Sequence, residues 1–253
     1  MRYYIITGSS KGLGQSLTIK LMGSDAHVFC ISRKKNKKLQ EAARKASASI
    51  DYFEFDLNSP EGLPALMEEI FSRIEKDRAQ ELCLINNAGM LSPIKAMHET
   101  GVEDIKSNIT INLIAPIAII AQFLKLTRNM KISKKVINIS SGASRSPRVR
   151  WACYSSSKSG IDTITQTVSL EQSGAEHPAR IISFYPGPMD TAMRKENQKA
   201  KPLFRRALEL IRNALSAKKP VAHHPDFVAE RLIAHLSSPG FGERLFVSLE
   251  DVA

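Results

Sequence analysis

Short apolar runs alternate with longer amphipathic stretches along almost the whole chain. The runs are apolar at successive positions, which is typical of strands buried on both faces of a parallel sheet. They predict strands over residues 3–7, 27–32, 51–55, 82–86, 135–140, 180–185 and 244–248. Helical periodicity predicts helices over residues 13–22, 38–46, 62–76, 102–128, 154–172 and 225–236. This alternation predicts an α/β fold, namely a doubly wound (Rossmann) parallel sheet of about seven strands with helices on both faces.

One segment interrupts this alternation. Residues 186–220 follow a predicted strand, contain several prolines, and include a single amphipathic stretch at 203–215. A long connection at such a point is often a lid over a binding site, and we place this lid at about 189–220. No repeat, low-complexity tract or linker divides the chain, so we expect one domain over residues 1–253.

Composition predicts a cytoplasmic protein. The apolar share of 43% and the charged share of 24% are those of a globular protein in water. We find no apolar run that approaches the 18 or so residues of a membrane span. The first residues run into a strand and lack the features of a signal peptide. Cys30, Cys83 and Cys153 are odd in number and form no CxxC motif, which favours a reducing compartment and argues against disulfides and a structural metal.

The formal net charge of +11 indicates either an anionic partner or cations on solvent-exposed faces. Residues 33–38 carry five cations, and residues 189–219 carry nine Lys or Arg against three acids. A nucleic-acid-binding face would interleave such charges with aromatic residues, and only Phe204 does so. We therefore favour solvated faces near a polyanionic cofactor over nucleic acid, while a preference for anionic small molecules stays open.

A glycine-rich turn joins the first predicted strand to the first predicted helix. Its sequence is TGSSKGLG over residues 7–14. Glycines let the backbone approach a ligand closely, and the free N–H groups at the helix start favour a phosphate. The strand–turn–helix context therefore predicts a dinucleotide site here.

The TGxxxGxG spacing resembles the short-chain dehydrogenase/reductase family, and further motifs follow in that family's order. They are NNAG at 86–89, the helix asparagine Asn112, the strand end at Ser141, YxxxK at 154–158 and PGPMDT at 186–191. The resemblance implies catalytic roles for Asn112, Ser141, Tyr154 and Lys158. It also implies that NADP(H) is bound by Gly8, Ser10, Lys11, Gly12, Leu13, Gly14, Arg33, Asp56, Leu57, Asn87, Ala88, Gly89, Tyr154, Lys158, Pro186, Gly187, Met189 and Thr191.

The proposed chemistry can be argued from the residue types. Tyr154 and Lys158 lie four residues apart and so share one helix face. A nearby ammonium favours a phenolate, so we expect the Tyr154 pKa to fall from its usual value of about 10. Ser141 would hydrogen-bond the substrate carbonyl, and the resemblance implies that Asn112 orders a water leading to Lys158.

The end of the second predicted strand indicates which nicotinamide cofactor is used. NAD enzymes usually carry an acidic residue there for the ribose 2′-hydroxyl, whereas this chain has Ser32 and Arg33. A guanidinium binds a phosphate through two hydrogen bonds. We therefore expect NADP(H), with Arg33 and Lys11 at the 2′-phosphate. Asp56 matches the family's adenine-binding acid.

Taken singly, these residues have simpler explanations. Tyr154 and Lys158 would be an exposed helix pair, Ser141 a strand end, Asn112 a satisfied core amide and residues 86–89 a turn. Their joint occurrence favours a reductase, in which Tyr154 donates the proton. The alternative function is a non-catalytic NADP(H)-binding sensor or scaffold.

Within the family, residues 1–8, 136–142 and 186–191 are similar to sepiapterin reductases and bacterial benzil reductases. The resemblance places Ser248 where sepiapterin reductases have the Asp that holds the pterin, and either Glu250 or Asp251 is a candidate to substitute for it. We therefore expect a 1,2-dicarbonyl or aryl ketone as substrate. Trp151 either stacks on it or packs on the surface. The resemblance also implies a homodimer that pairs through helices 102–128 and 154–172.

Overall fold

A seven-stranded parallel sheet forms the centre of the protein, in the order β3-β2-β1-β4-β5-β6-β7. The computed structural model describes residues 1–199 and 222–252. The strands are β1 (Arg2–Thr7), β2 (Ala26–Ser32), β3 (Ser49–Glu54), β4 (Glu81–Asn86), β5 (Ser133–Ile139), β6 (Arg180–Tyr185) and β7 (Phe246–Ser248). The predicted doubly wound α/β fold is confirmed, and the predicted strands match within a few residues.

Helices cover both faces of this sheet. They are α1 (Gly12–Leu21), α2 (Lys37–Lys45), α3 (Leu63–Ser72), α4 (Val102–Ile109), α5 (Ala115–Thr127), α6 (Ala152–Ser173), α7 (Ala192–Lys199) and α8 (Pro225–Leu236). The strand order reverses between β1 and β4. In open α/β sheets, ligands bind beyond the carboxyl ends of the strands at such a reversal.

The alternation of side chains along β1 explains why both faces are covered. Tyr3 and Ile5 join the core cluster that includes α3 and α5, whereas Tyr4 and Ile6 join the cluster that includes α1 and α8. Successive strand residues point to opposite faces, and all four of these side chains are buried. An uninterrupted apolar run therefore requires a helical layer on each side.

The predicted single helix over 102–128 is wrong in one respect, because a π-helical turn at Thr110–Ile114 separates α4 from α5. Pro116 follows this turn and has no N–H to donate to the carbonyl of Asn112, four residues earlier. Turns of this kind are frequent at functional sites, and this one contains a predicted catalytic residue.

Two further predictions need correction or restriction. The predicted strand 244–248 is shorter and begins at Phe246. The predicted lid at 189–220 begins with a bridge at Met189 and continues into α7. Its amphipathic stretch 203–215 lies outside the described residues.

By length and composition, Val102–Thr127 could cross a membrane, so the expectation that no apolar segment reaches that length was too strong. Ile119, Ile120 and Phe123 on α5 are buried against the core, as in the core helix of a globular domain. The segment is therefore weak evidence for a membrane span. The three cysteines are all free and buried.

Candidate active site

The predicted site residues follow the carboxyl ends of four neighbouring strands. β1 ends at Thr7, β4 at Asn86, β5 at Ile139 and β6 at Tyr185, and these strands are adjacent in the sheet. Motifs that lie far apart in the sequence are thereby brought to one edge, at the strand-order reversal.

Close backbone contacts require the glycines of the first turn. Gly8 has a φ of +68°, and a Cβ there would lie 2.8 Å from the Cα of Ala88. A Cβ on Gly14 would lie 2.3 Å from the carbonyl oxygen of Gly8. The Asn87 amide donates to the carbonyl oxygens of Thr7 and Gly8, at 2.9 and 3.2 Å. The turn therefore packs directly on the NNAG segment, with no room for side chains between them.

Thr7 links the two segments and was not identified from the sequence. Its buried Oγ1 accepts hydrogen bonds from the backbone N–H groups of Asn87 and Ala88, both at 3.0 Å. A hydroxyl at the last position of a strand beside a glycine turn is the sequence signal that could have revealed it.

The basic side of the site lies beyond β2. Lys11 and Arg33 are both exposed. The Asn36 side-chain amide donates to the carbonyl oxygen of Ser10 at 2.7 Å, and its Oδ1 caps α2 by accepting from the Lys38 N–H. Asn36 therefore fixes the basic loop beside the glycine turn, so that cations from both segments lie on one side.

The residues predicted to contact the adenine have different environments. Asp56 is exposed, and its Oδ1 accepts a local hydrogen bond from the Asn58 N–H at 3.1 Å. Leu57 is buried in the core cluster that includes α3. Its side chain therefore serves packing, and only its backbone is left for a ligand.

The predicted nicotinamide loop lies beside the glycine turn. Gly187 has a φ of +68°, and Met189 pairs with His223 in an isolated parallel bridge. The Thr191 Cγ2 lies 3.6 Å from the position that a Cβ on Gly12 would occupy. Pro186 is buried at the end of β6, so the loop leaves the sheet beside the other predicted cofactor residues.

Tyr154 and Lys158 are buried on α6, with exposed fractions of 8% and 5%. The Lys158 Nζ lies 5.8 Å from the centre of the Tyr154 ring and donates to the Ile139 carbonyl oxygen at 2.7 Å. The explanation of an exposed helix pair is therefore excluded by the burial of both side chains. The hydrogen bond to Ile139 holds the lysine at the carboxyl end of β5, next to the Tyr154 ring.

The direction of the Tyr154 pKa differs from the expectation. Burial raises this pKa, while a hydrogen bond with Ser141 and the charge of Arg148 oppose the rise. The predicted lowering by Lys158 is therefore wrong, because loss of hydration dominates. A raised pKa keeps the phenol protonated, which is the form that donates a proton.

Burial lowers the pKa of Lys158 to about 8, and the nearby Asp162 carboxylate partly offsets this effect. Asp162 lies four residues further along α6 and accepts a hydrogen bond from the Tyr185 hydroxyl at 2.7 Å. The sequence analysis did not identify Asp162 or Tyr185, although the i,i+4 spacing of Asp162 from Lys158 was a usable signal.

Ser141 lies two residues after the end of β5 and is half-buried. Its Oγ accepts from the Ala143 N–H at 3.2 Å and caps a short 3₁₀ turn at Gly142–Ser144. The hydroxyl hydrogen therefore points away from that bond and remains for another acceptor. Tyr154, its hydrogen-bonding neighbour, lies on the same side.

The Asn112 side chain is fully engaged within the protein. Its Oδ1 accepts from the Met90 N–H and its Nδ2 donates to the Met90 carbonyl, both at 2.8 Å. Asn108, one turn earlier, also accepts from Asn112 and was missed by sequence reasoning. The predicted water would therefore use the Asn112 backbone rather than its amide.

Gly89 keeps this part of the site open. A Cβ at this position would lie 3.2 Å from the Asn112 Oδ1 and 3.7 Å from the Lys158 Nζ. The structure thus brings Asn112, Lys158 and the NNAG segment around one small space.

Apolar side chains surround the Tyr154 ring. Leu91, Ala143 and Tyr154 form a small buried cluster, with Ile94, Trp151 and Met193 packed against it. Trp151 meets Tyr154 edge-to-face, with ring centres 5.6 Å apart. The candidate site around Tyr154 therefore has an apolar, partly aromatic border.

The suggested substitute for a pterin-binding acid is not available. The Asp251 Oδ2 accepts from the N–H and the hydroxyl of Ser248, at 2.7 and 2.6 Å, and its Oδ1 accepts from Arg244 at 2.8 Å. Asp251 therefore closes the turn after β7. Glu250 is exposed. Among residues 1–199 and 222–252, no group of three or more His, Cys, Asp or Glu could hold a metal.

Comparisons with known proteins follow the same pattern. The family model of the short chain dehydrogenases matches residues 2–202. Benzil reductase ((S)-benzoin forming) of Bacillus cereus is 38% identical over 78% of this chain and 79% of its own length. The same enzyme of Bacillus subtilis (strain 168) is 33% identical over 97% of this chain and 98% of its own.

More distant similarities extend this set. Sepiapterin reductase of Rattus norvegicus is 26% identical over 76% of this chain and 75% of its own length. The X-ray structure of an alcohol dehydrogenase from the archaeon Thermococcus sibiricus, complexed with 5-hydroxy-NADP, superposes with a TM-score of 0.75. It covers 98% of this chain and 94% of its own at 19% identity, which supports the fold alone.

Proposed function

Because the chain belongs to the short-chain dehydrogenase family and is an oxidoreductase, we propose that it uses NADPH to reduce a carbonyl group to an alcohol, with Tyr154 as the proton donor. The substrate is a 1,2-dicarbonyl compound or an aryl ketone. The observation that carries this proposal is the contact of the buried Tyr154 with Lys158 and with the half-buried Ser141.

The cofactor site has the shape that a dinucleotide needs. Gly8 and Gly14 let the turn pack tightly on the NNAG segment. Among the described residues, no side chain caps the start of α1, so its first N–H groups are left for a pyrophosphate. Lys11 and Arg33 provide cations on the side fixed by Asn36. The remaining predicted contacts, from Pro186 to Thr191, lie beside the turn. These features support NADP(H) binding.

Each residue of the catalytic cluster has a separate task. When bound, NADPH supplies the hydride to the carbonyl carbon. Ser141 donates a hydrogen bond to the carbonyl oxygen and holds it near the phenol of Tyr154. Tyr154 gives its proton to this oxygen as negative charge develops. The cationic Lys158 stabilises the phenolate that remains.

Asn112 acts through the backbone in this proposal. Its amide fixes Met90 and the NNAG segment, and its carbonyl lacks the helical N–H that Pro116 cannot supply. A water at this carbonyl would return a proton towards Lys158.

The substrate class is supported by the apolar border and by the relatives. Trp151, Leu91 and Met193 offer contact surface to an aromatic or alkyl group beside the reacting carbonyl. Two relatives reduce benzil to (S)-benzoin, as their names state. The engagement of Asp251 with Ser248 argues against a pterin held as in sepiapterin reductases.

The first experiment follows the oxidation of NADPH with benzil, with NADH in parallel. We expect turnover with NADPH, and a loss of about 10²- to 10⁴-fold in Tyr154→Phe while NADPH still binds. Arg33→Ala should raise the KM for NADPH about 10- to 100-fold and leave NADH unaffected. The matched control is Arg44→Ala, which removes an exposed cation from the end of α2.

Faster turnover with NADH would contradict the cofactor choice alone. If NADPH bound but no diketone, aryl ketone or sepiapterin reacted, the alternative of a non-catalytic sensor would be favoured. The presence of Asn112, Ser141, Tyr154 and Lys158 together argues against that alternative. The homodimer through helices 102–128 (α4 and α5) and 154–172 (α6) and the cytoplasmic location stay predictions.

A further inference from the structure

The loop between Ser141 and α6 places a cation beside the catalytic tyrosine. The Arg148 guanidinium lies over the Trp151 ring, 5.0 Å from its centre. The same indole meets the Tyr154 ring edge-to-face at 5.6 Å. The three side chains thus form a short stack that runs from the exposed loop to the buried phenol.

The backbone of this loop is fixed in an uncommon conformation. Arg150 has a φ of +71°, which non-glycine residues rarely adopt. The Trp151 N–H donates to the Arg148 carbonyl oxygen at 3.1 Å and closes the turn, and the Trp151 carbonyl then accepts the Ser155 N–H at 2.8 Å in α6. These two hydrogen bonds fix the backbone of the turn at the start of α6, and the ring contacts place the arginine and the indole next to Tyr154.

The charge of Arg148 is available to a ligand. Its side chain is exposed, and its guanidinium packs on the face of the Trp151 ring. Its charge already acts on the Tyr154 hydroxyl, since it opposes the rise of that pKa. The guanidinium is therefore close enough to influence the atom that would face the reacting carbonyl.

We infer that Arg148 binds the oxygen on the carbon next to the reacting carbonyl and thereby selects vicinal dicarbonyl compounds and aryl 2-oxo acids over simple ketones. This inference rests on the proposed function. Ser141 and Tyr154 hold the first oxygen, the apolar border holds the aryl group, and the arginine N–H groups donate to the second oxygen. Hydrogen bonds that involve a charged group are the strong ones.

Two matched pairs of substrates test this. Benzil and deoxybenzoin share one skeleton but differ in the second oxygen, and phenylglyoxylate and acetophenone differ in the carboxylate. In Arg148→Met, kcat/KM should fall about 10- to 100-fold for benzil and phenylglyoxylate and change less than about threefold for deoxybenzoin and acetophenone. Arg148→Lys should keep more activity with phenylglyoxylate than with benzil, because a point charge replaces a directional pair of donors.

The ratio of variant to wild type cancels the different intrinsic reactivity of the four compounds. Arg73→Met is the control, since Arg73 also stacks on a ring, 4.8 Å from the centre of Phe53, but at the far edge of the sheet. An equal loss with all four substrates would overturn the inference and assign Arg148 a structural role. Wild-type protein that reduces none of the four would instead refute the proposed function.

Discussion

Two buried lysines lie near the opposite ends of β5 and have different surroundings. Lys134, at the amino end, is 3% exposed and donates to the Thr127 carbonyl oxygen at 3.1 Å. Lys158, at the carboxyl end, is 5% exposed and donates to the Ile139 carbonyl oxygen at 2.7 Å. Burial lowers the pKa of both.

Their neighbours make the difference. Lys134 caps the last turn of α5, where a cation stabilises the carbonyl end of the helix dipole. Lys158 has the Tyr154 ring, the Asp162 carboxylate and the space kept by Gly89 beside it. Burial and a shifted pKa therefore do not by themselves identify a catalytic lysine, and the role proposed for Lys158 rests on the adjacent groups that can exchange protons.

A cavity at the amino end of the sheet also contains cations that are engaged within the protein. A surface cavity of about 570 Å³ lies at the amino end and is lined by Lys134, Lys135 and Arg180 among others. Lys135 donates to the Leu236 carbonyl, and Arg180 donates to the carbonyls of Pro239 and Phe241. These cations already satisfy backbone oxygens, so this end of the sheet serves stability.

The largest expected effect separates the two lysines by activity. Lys158→Met should lower kcat about 10²- to 10⁴-fold, because the cation beside Tyr154 is lost. Lys134→Met should leave kcat unchanged and shift the free energy of unfolding by less than about 1 kcal/mol, since a buried charge is exchanged for an apolar chain. The Thr127 carbonyl keeps a hydrogen bond from the Met130 N–H.

Steady-state kinetics and urea unfolding measure both quantities. If Lys134→Met lost as much activity as Lys158→Met, the distinction between the two ends would be wrong.

A second prediction concerns pH. The folded protein binds the Lys158 proton more weakly than the unfolded chain does, because the pKa falls from 10.5 to about 8. Between these values the unfolded chain holds more protons, so this group makes the free energy of unfolding rise with pH. The full difference is on the order of 3 kcal/mol. Activity should fall over the same range, since the ammonium is lost.

Unfolding curves from pH 8 to 10 for wild type and Lys158→Met provide the measurement. The variant should show a smaller rise. Lys134→Met should also show a smaller rise, because its pKa is lowered in the same direction, yet it should keep the loss of activity at high pH. Parallel curves for all three proteins would contradict this prediction.

A third prediction, with a smaller expected effect than the second, concerns Lys135, whose ammonium pairs with Glu81 at the amino end. Lys135→Met should cost about 1–3 kcal/mol in unfolding free energy, because it leaves a mostly buried carboxylate without its cation. The value of kcat should not change. The double variant Lys135→Met with Glu81→Gln should recover part of the stability. A large fall in kcat with little change in the free energy of unfolding would argue against a structural role for the amino end of the sheet.

Much of the fold was predictable because its signals are local. Apolar runs over 3–7 and 82–86 indicate buried strands wherever they lie in the chain, and the order of strands and helices leaves few topologies. The motifs at 7–14, 86–89 and 154–158 also have fixed internal spacing. The family model and the relatives agree with the family that these motifs predict.

Other features depend on contacts between distant residues. Three hydrogen bonds join segments whose sequences give no sign that they meet. They link Tyr185 to Asp162, Asn36 to Ser10, and Met90 to Asn112. The rise of the Tyr154 pKa also escaped prediction, because spacing shows the neighbouring lysine but not the loss of hydration.

By itself, the sequence determined the α/β architecture, the family and the residue types at the candidate site, since periodicity, turn chemistry and motif spacing are properties of short segments. Only the tertiary structure decided that Tyr154 and Lys158 are buried, which acids are already engaged, and where Arg148 lies. Burial, hydration and hydrogen-bond partners depend on what packs around a group, and that environment is assembled from distant parts of the chain.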